Sequence, residues 1–241
     1  YELAKGYADY LGVELTMYVA DQFQDIFPDI DSGKAHIGAA GLSVTEARRE
    51  VVEFGPSYQR IKQQVIYRIG TRRPYELKDL LQGRLEVLAG SAYVSLLQEA
   101  REETPELTWI ENPENNIEEL VQRVEAGEID YTIVDSNEFE LLRHSHPDAR
   151  TAFSIGPETF IAWALPKTSD SSLDESVSTY FQTLRETGGL QEILDHYSFL
   201  RDDDFNYVGS RAFIRHFHSR LPAYKDLFIE AGLSSNTDWR L

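Results

Sequence analysis

The first residues of the chain place apolar side chains at the spacing of an amphipathic helix. Gly12 ends the pattern, and one face of the segment carries Leu3, Tyr7, Tyr10 and Leu11. An apolar face at this spacing predicts a helix that packs against a core. Because the pattern is already under way at Tyr1, we expect the natural N-terminus to lie further upstream.

One arrangement, a helix followed by a glycine and a short apolar strand, occurs twice. The first copy covers residues 23–41, with its strand at 35–40, and the second covers residues 117–135. In the second copy Asn116 is a predicted helix N-cap and Gly127 a predicted left-handed stop. The residues from Ile129 onward alternate as in a half-buried strand. Pro28 interrupts the first copy, which predicts a short or kinked helix there.

Two further apolar strands, residues 63–70 and 160–167, connect these units. If they lie side by side, the chain leaves the first unit once and returns to it once. We therefore predict an α/β, two-lobed fold, in which lobe 1 comprises residues 1–62 and 163–200 and lobe 2 comprises residues 63–162. The alternative is a single α/β body, because a helix, a glycine and a strand in succession are common in that class.

The pattern changes after residue 200. Three consecutive aspartates, Asp202–Asp204, are followed by two helical patterns that Pro222 separates. The last five residues, from Thr237, have the form of a helix cap and first turn. We therefore predict that residues 201–241 are a short all-α extension, made of a linker and the truncated start of a second domain.

Composition and charge narrow the classes of function. The 241 residues carry 23 basic and 41 acidic side chains, a net charge of −18, and 41% are hydrophobic. This balance is typical of a globular protein and argues against binding to nucleic acid or to anionic lipid. A small anionic ligand remains compatible with it, because salt screens distant charges beyond about 10 Å.

The chain has no cysteine. That excludes disulfides, zinc–thiolate sites and cysteine nucleophiles, and it is compatible with either the cytoplasm or the periplasm. No apolar run approaches the roughly 20 residues of a membrane-spanning helix, and no signal peptide is present.

The segment from Gly41 to Tyr58 contains the first candidate binding residue. If Thr45 caps a short helix, Arg48 lies in its first turn, where free N–H groups and the guanidinium both favour a carboxylate. Ser43 and Gly41 are expected to add a hydroxyl and a backbone N–H. The alternative is a surface arginine paired with a neighbouring glutamate, and we assign that role to Arg49. The glutamates in question are Glu46, Glu50 and Glu53.

Asp135 is the complementary candidate, because it ends an apolar strand and its partly desolvated carboxylate would seek a cation such as an ammonium. The alternative is that Asp135 caps a helix at residues 136–142. The turn at residues 89–93 opens another predicted helix, and its N–H groups and the Ser91 hydroxyl are expected to bind the ligand carboxylate from the second lobe. An ammonium site and a carboxylate site across a cleft predict an amino acid, or the free end of a peptide, as the ligand.

Other groups of polar residues are weaker candidates for a functional site. His144, His146 and Asp148 fit an exposed turn better than a metal site, and we predict no metal and no cofactor. His216 and His218 point to different sides of a helix. The chain has no glycine-rich phosphate loop and no nucleophile elbow, so we nominate no catalytic residue.

The segment TEARREVVEFGPSY resembles the signature of the bacterial solute-binding proteins for polar amino acids, and the resemblance covers residues 1–200. It implies a periplasmic-binding-protein-like (type II) fold. It implies that Arg48 binds the ligand α-carboxylate and Asp135 the α-ammonium, that Ser43, Gly41 and Ser91 donate further hydrogen bonds, and that Phe23 packs on the ligand. The chain departs from the pattern at Ala40, Gly41 and Ala92, where hydroxyl residues are frequent, and it lacks the family's first strand.

The segment DDDFNYVGSRAFIRHF and the ending TDWRL resemble the junction in the membrane-bound lytic transglycosylase F family, which joins such a binding domain to a lysozyme-like domain. The resemblance implies a periplasmic parent enzyme that cleaves peptidoglycan and is attached to the outer membrane through an N-terminal anchor absent here. The catalytic glutamate would follow Leu241. The chain would then be a regulatory module that senses an amino acid or a peptidoglycan stem peptide. The alternative is a free-standing amino-acid receptor of an ABC transporter.

Overall fold

The computed structural model describes residues 1–198 and, further along the chain, residues 225, 227 and 229. The helices of residues 1–198 are α1 (Glu2–Leu11), α2 (Ile26–Asp31), α3 (Glu46–Arg49), α4 (Ala92–Glu103), α5 (Ile117–Ala126), α6 (Ser136–Leu142), α7 (Ser172–Glu186) and α8 (Gly189–Ser198). The strands are β1 (Gly38–Ser43), β2 (Val52–Phe54), β3 (Gln59–Arg68), β4 (Glu86–Leu88), β5 (Ile110–Asn112), β6 (Tyr131–Asp135) and β7 (Ala149–Pro166). Short 3-10 turns cover Phe23–Asp25 and Leu77–Gln82.

The predicted linker and domain start at 201–241 lie outside the described residues, apart from the three isolated positions. His216 and His218, which were predicted to point to different sides of a helix, lie outside the described residues as well. None of the helices in the described part of the chain is long and apolar enough to cross a lipid bilayer.

Five of the described strands form one sheet, in which β7 pairs with β1, β2 and β3, and β3 also pairs with β6. All of these pairs are antiparallel. A separate parallel pair, β4 and β5, lies beside β6 through a bridge between Leu85 and Tyr131. Helices and strands therefore alternate along the chain and combine in an α/β architecture.

The long strand β7 is the common element of the sheet. Its C-terminal half pairs with β1 and β2, while β3 pairs with it along most of its length, from Ala149 to Ile161. Asp135 at the end of β6 lies opposite Gln63 of β3, and Ser43 at the end of β1 lies opposite Ile161 of β7. The ends of β1 and β6 are thus held on the two sides of the crossing strands.

Two groups of core residues lie on the two predicted lobes. One group is built around Val65, Ile133 and Leu97 and lies where α4, α5 and α6 pack on β3 and β6. The other contains an aromatic cluster, in which the Trp163 and Phe181 rings meet edge to face with centroids 4.9 Å apart. The lobe boundaries given above remain predictions.

The elements follow local sequence signals in most places. Asn116 accepts a hydrogen bond from the Glu119 N–H at 2.9 Å, and Gly127 ends α5 with a φ of 75°, as the sequence predicts. The strand of the first copy differs from the prediction, because it begins at Gly38 and extends to Ser43 rather than covering residues 35–40. Gly41 makes the extension possible with a φ of 65°, at a point where the register between β1 and β7 shifts.

Candidate functional site

Arg48 lies in α3, a single turn that Thr45 caps by accepting a hydrogen bond from the Arg48 N–H at 3.3 Å. The Arg48 residue is only 9% exposed. Its Nη1 donates to the Ser43 carbonyl at 2.9 Å and its Nη2 donates to the Gly90 carbonyl at 3.3 Å. Because the second bond reaches the turn before α4, the guanidinium joins two segments far apart in the sequence.

Two aromatic rings cover the Arg48 guanidinium. The Phe23 ring centroid lies 5.4 Å from the Arg48 Cζ, and the Phe27 ring centroid lies 4.9 Å from it. Such contacts fix the plane of the guanidinium and shelter it from water. The structure therefore brings Phe23 to Arg48, whereas Phe27 was not singled out in the sequence.

Asp135 is buried at the end of β6 and is 8% exposed. Its Oδ2 accepts a hydrogen bond from the Ser43 hydroxyl at 3.4 Å, and its backbone N–H donates to the Tyr93 hydroxyl at 3.1 Å. Its Oδ1 is buried and has no hydrogen-bond partner in the described structure. One carboxylate oxygen thus remains available for a ligand donor.

Ser43 connects the two charged residues. Its carbonyl accepts from Arg48 and its hydroxyl donates to Asp135, so three of the predicted site residues form one hydrogen-bonded chain. Arg48 and Asp135 do not form a direct ion pair, although the charge of each acts on the pKa of the other. A ligand with a carboxylate and an ammonium would supply the missing opposite charges.

Ser91 and Asp135 occupy helix N-cap positions without capping the helix. Ser91 precedes α4 and Asp135 precedes α6, and neither side chain makes a cap hydrogen bond. The Ser91 hydroxyl is buried without a partner in the described residues. A lost cap costs about 1 kcal/mol, whereas Thr45 and Asn116 make the usual bond. The alternative that Asp135 is an ordinary helix cap is therefore wrong.

Burial sets the electrostatics of the site. It lowers the pKa of the Arg48 guanidinium to about 10, although Asp135 and Tyr93 act in the opposite direction. Burial also raises the pKa of the Asp135 carboxyl to about 6, against hydrogen bonds from Tyr93 and Ser43 and the charge of Arg48. Both groups are therefore charged at neutral pH in a poorly hydrated environment, where pairing with a ligand is strongest.

Gly41 is set apart from this group. It lies at the exposed bulge of β1, and it takes no part in the hydrogen bonds that join Arg48, Ser43 and Asp135. The turn at residues 89–93 was predicted to reach the site through its N–H groups and the Ser91 hydroxyl. In the structure it contacts the site through the Gly90 carbonyl and the Tyr93 hydroxyl instead, which the sequence did not identify.

The prediction that residues 144–148 form an exposed turn is partly wrong. His146 is buried, at 7% exposure, and its Nδ1 lies 2.9 Å from Oε2 of Glu125. The backbone N–H of Asp148 also donates to Glu125, which makes this a packed junction between α5 and the start of β7. No group of three or more potential metal ligands is found in the part of the chain that the structure describes.

A small pocket of about 120 Å³ lies elsewhere, between α1, α8 and the sheet. It is lined mainly by apolar and aromatic side chains, among them Met17, Tyr58 and Trp163. None of the predicted site residues lines it, and it offers no paired opposite charges. The pocket therefore does not match the ligand that the Arg48 site can bind.

Comparison with known proteins identifies the family of the chain. Residues 1–200 match the bacterial extracellular solute-binding proteins, family 3. The chain is 42% identical over its whole length to a protein from Alkalilimnicola ehrlichii named membrane-bound lytic murein transglycosylase F 1, of which it covers 49%. It is 38% identical to a membrane-bound lytic murein transglycosylase F from Idiomarina loihiensis, of which it covers 52%. The chain thus spans about half the length of these curated relatives.

Solved structures show the same fold. The substrate-binding protein AbpA of an amino acid ABC transporter from Streptococcus pneumoniae, bound to L-arginine, matches with a TM-score of 0.73 and 24% identity over 84% of both chains. This likeness concerns the fold alone. It confirms the predicted α/β, two-lobed, binding-protein-like architecture.

Proposed function

The chain belongs to the bacterial extracellular solute-binding proteins of family 3, and on this premise we propose that it binds an amino acid, or the free end of a peptide, between its two lobes. Arg48 binds the ligand carboxylate, and Asp135 binds the ammonium. Ser43 and Ser91 provide hydroxyl groups, and Phe23 covers the charged end. Gly41, at the exposed bulge of β1, donates a backbone N–H to the ligand.

One observation carries this proposal. Arg48 and Asp135 are oppositely charged, both nearly buried, and linked among the described residues through Ser43 and not by a direct ion pair. A buried charge without a direct counter-ion is costly and is rarely kept for stability alone. A zwitterion that fits between them would satisfy both charges at once, with charge-assisted bonds of roughly 1.5–3 kcal/mol each.

The test is calorimetry of the chain with L-amino acids and peptidoglycan stem peptides. Arg48→Ala should abolish binding, because the ligand carboxylate loses its counter-ion. Arg49→Ala is the matched control, since Arg49 is exposed and lies 3.7 Å from Glu46 on the surface. Equal affinity of the Arg48→Ala variant and the unaltered chain would remove Arg48 from the site.

We further propose that the chain is the ligand-sensing module of a peptidoglycan lytic transglycosylase in the periplasm. Its relatives carry that name over a length about twice that of the chain. Ligand binding would close the lobes about β3 and β7 and bias the rest of the parent enzyme, by as much as the ligand prefers the closed form. Attachment to the outer membrane would come through a part of the parent outside this chain.

Digestion of cell-wall sacculi tests this second proposal. We expect no release of anhydro-muropeptides by the chain alone, because the family resemblance implies a catalytic glutamate after Leu241. The full-length parent should release them at a rate that the ligand changes. A ligand that binds the chain but leaves the parent's rate unchanged would favour the alternative, a receptor for an ABC transporter.

A further inference from the structure

A second carboxylate, that of Glu138, lies beside Asp135 in the same site. Glu138 is half-buried in the first turn of α6, three residues after Asp135, which places both on one side of the helix start. Burial and the Asp135 charge raise the pKa of the Glu138 carboxyl to about 7. Among the described residues, no hydrogen bond or ion pair reaches its carboxylate.

The ordinary reason for an acidic residue at this position does not apply to Glu138. In α5 the equivalent residue, Glu119, accepts a hydrogen bond from the Asn116 N–H at 2.9 Å and completes a capping box. In α6 the corresponding N–H belongs to Asp135, and it is already donated to the Tyr93 hydroxyl. Glu138 therefore keeps a partly buried carboxylate that forms no capping box, although its charge is favourable in the first turn of α6.

The Glu138 carboxylate has no counter-ion among the charged groups of the site. Arg48 is the cation that acts on Asp135, so the site has one cation and two carboxyl groups. A zwitterion would neutralise Arg48 and Asp135 and leave Glu138 without a partner. The Oδ1 atom of Asn137, buried and without a partner in the described structure, adds a further free acceptor on the same turn.

We infer that Glu138 is a specificity-determining residue that selects ligands with a second cationic group, an ammonium or a guanidinium, in the side chain. The inference rests on the proposed function, because it assumes that Arg48 and Asp135 bind the two ends of an amino acid. The ligand α-ammonium occupies Asp135, so the Glu138 carboxylate, with Asn137 Oδ1 on the same turn, is left for a second cation. A ligand with a neutral side chain of the same length would leave the Glu138 carboxylate without a counter-ion.

The experiment compares L-lysine with L-norleucine, whose side chain has the same number of carbons but no ammonium. Calorimetry is run at pH 8, where the carboxyl groups are ionised. The unaltered chain should bind lysine at least about tenfold more tightly than norleucine, and Glu138→Gln should reduce this ratio to about one. Glu46→Gln is the control, because Glu46 is exposed near Arg48 and should leave the ratio unchanged.

The outcomes separate this inference from the proposed function. If the unaltered chain binds norleucine as tightly as lysine, the role proposed for Glu138 is wrong, and the proposed amino-acid site at Arg48 and Asp135 is unaffected. If neither amino acid binds, the inference is wrong, whereas the proposed function is decided separately by calorimetry with the other L-amino acids and the stem peptides. The comparison of the two ligands in the unaltered chain can overturn the inference even if Glu138→Gln does not fold.

Discussion

At the scale of single residues, the site consists of charges that the protein itself leaves incompletely paired. Ser43 gives its carbonyl to Arg48 and its hydroxyl to Asp135, but one oxygen of Asp135 remains without a partner in the described structure. Each of these charges has been moved out of water at a free-energy cost that a ligand can offset. The Asp135 carboxylate is therefore expected to lower the stability of the folded chain while it strengthens ligand binding.

Asp135→Asn is expected to stabilise the fold while it weakens binding. The folded state holds the Asp135 proton up to about pH 6, whereas the unfolded chain releases it near 3.8. The folded state thus binds more protons in this window, and stability falls as the pH rises through it, by roughly 3 kcal/mol in all. Asparagine keeps an acceptor for Ser43 but has no charge to bury.

Urea unfolding at pH 7 and pH 3 measures this effect. We expect the variant to gain about 1–3 kcal/mol at pH 7 and little at pH 3, where the carboxyl is protonated in both states. Calorimetry should show at the same time that amino-acid affinity falls by tenfold or more. A variant less stable than the unaltered chain at pH 7 would show that Asp135 is a structural residue.

The residue pair could be predicted from the sequence, but several of its contacts could not. Arg48 lies in a helical turn after a strand and Asp135 ends a strand before a helix, and these signals are local. The turn at residues 89–93 was expected at the site, but the contacts of the Gly90 carbonyl, the Tyr93 hydroxyl and the Phe27 ring depend on tertiary packing, which no spacing in the sequence encodes. Glu138 is intermediate, because its position three residues after Asp135 was visible, while the loss of its capping partner to Tyr93 was not.

At the scale of elements, local signals located the helices better than the strands. The capping box of Asn116 and the glycine stop of Gly127 define α5 within the chain's own sequence. β1 was placed too early, because its small residues give a weak pattern and its bulge at Gly41 depends on pairing with β7. β7 is also longer than predicted, since it continues back to Ala149 through residues whose alternation is weak.

At the scale of the whole molecule, the turn before α4 brings the two predicted lobes into contact. The Gly90 carbonyl accepts from Arg48, and a Cβ added at Gly90 would lie 2.9 Å from the Gln24 Cβ. Gly90 also has a φ of 70°, which a side chain would strain. The absence of a side chain at Gly90 therefore allows the close approach of this turn to Gln24.

Gly90→Ala should favour a more open arrangement. Its methyl group would meet Gln24, so we expect a larger radius of gyration in X-ray scattering and an amino-acid affinity lower by roughly tenfold. Gly33→Ala is the matched control, because Gly33 has a φ of 74° and no neighbouring atom within 4 Å of an added Cβ. If both variants scatter and bind alike, the contact at Gly90 does not influence closure.

The length of β7 has a consequence for the order in which the chain can fold. β1 and β2 pair only with residues near 161–166, more than 100 residues later in the chain, whereas β3 and β6 have each other as a nearer partner. Contacts of such sequence separation form slowly, because a long loop must close first. A chain emerging from a ribosome or a translocon would therefore be unable to complete the lobe containing its own N-terminus until Pro166 had emerged.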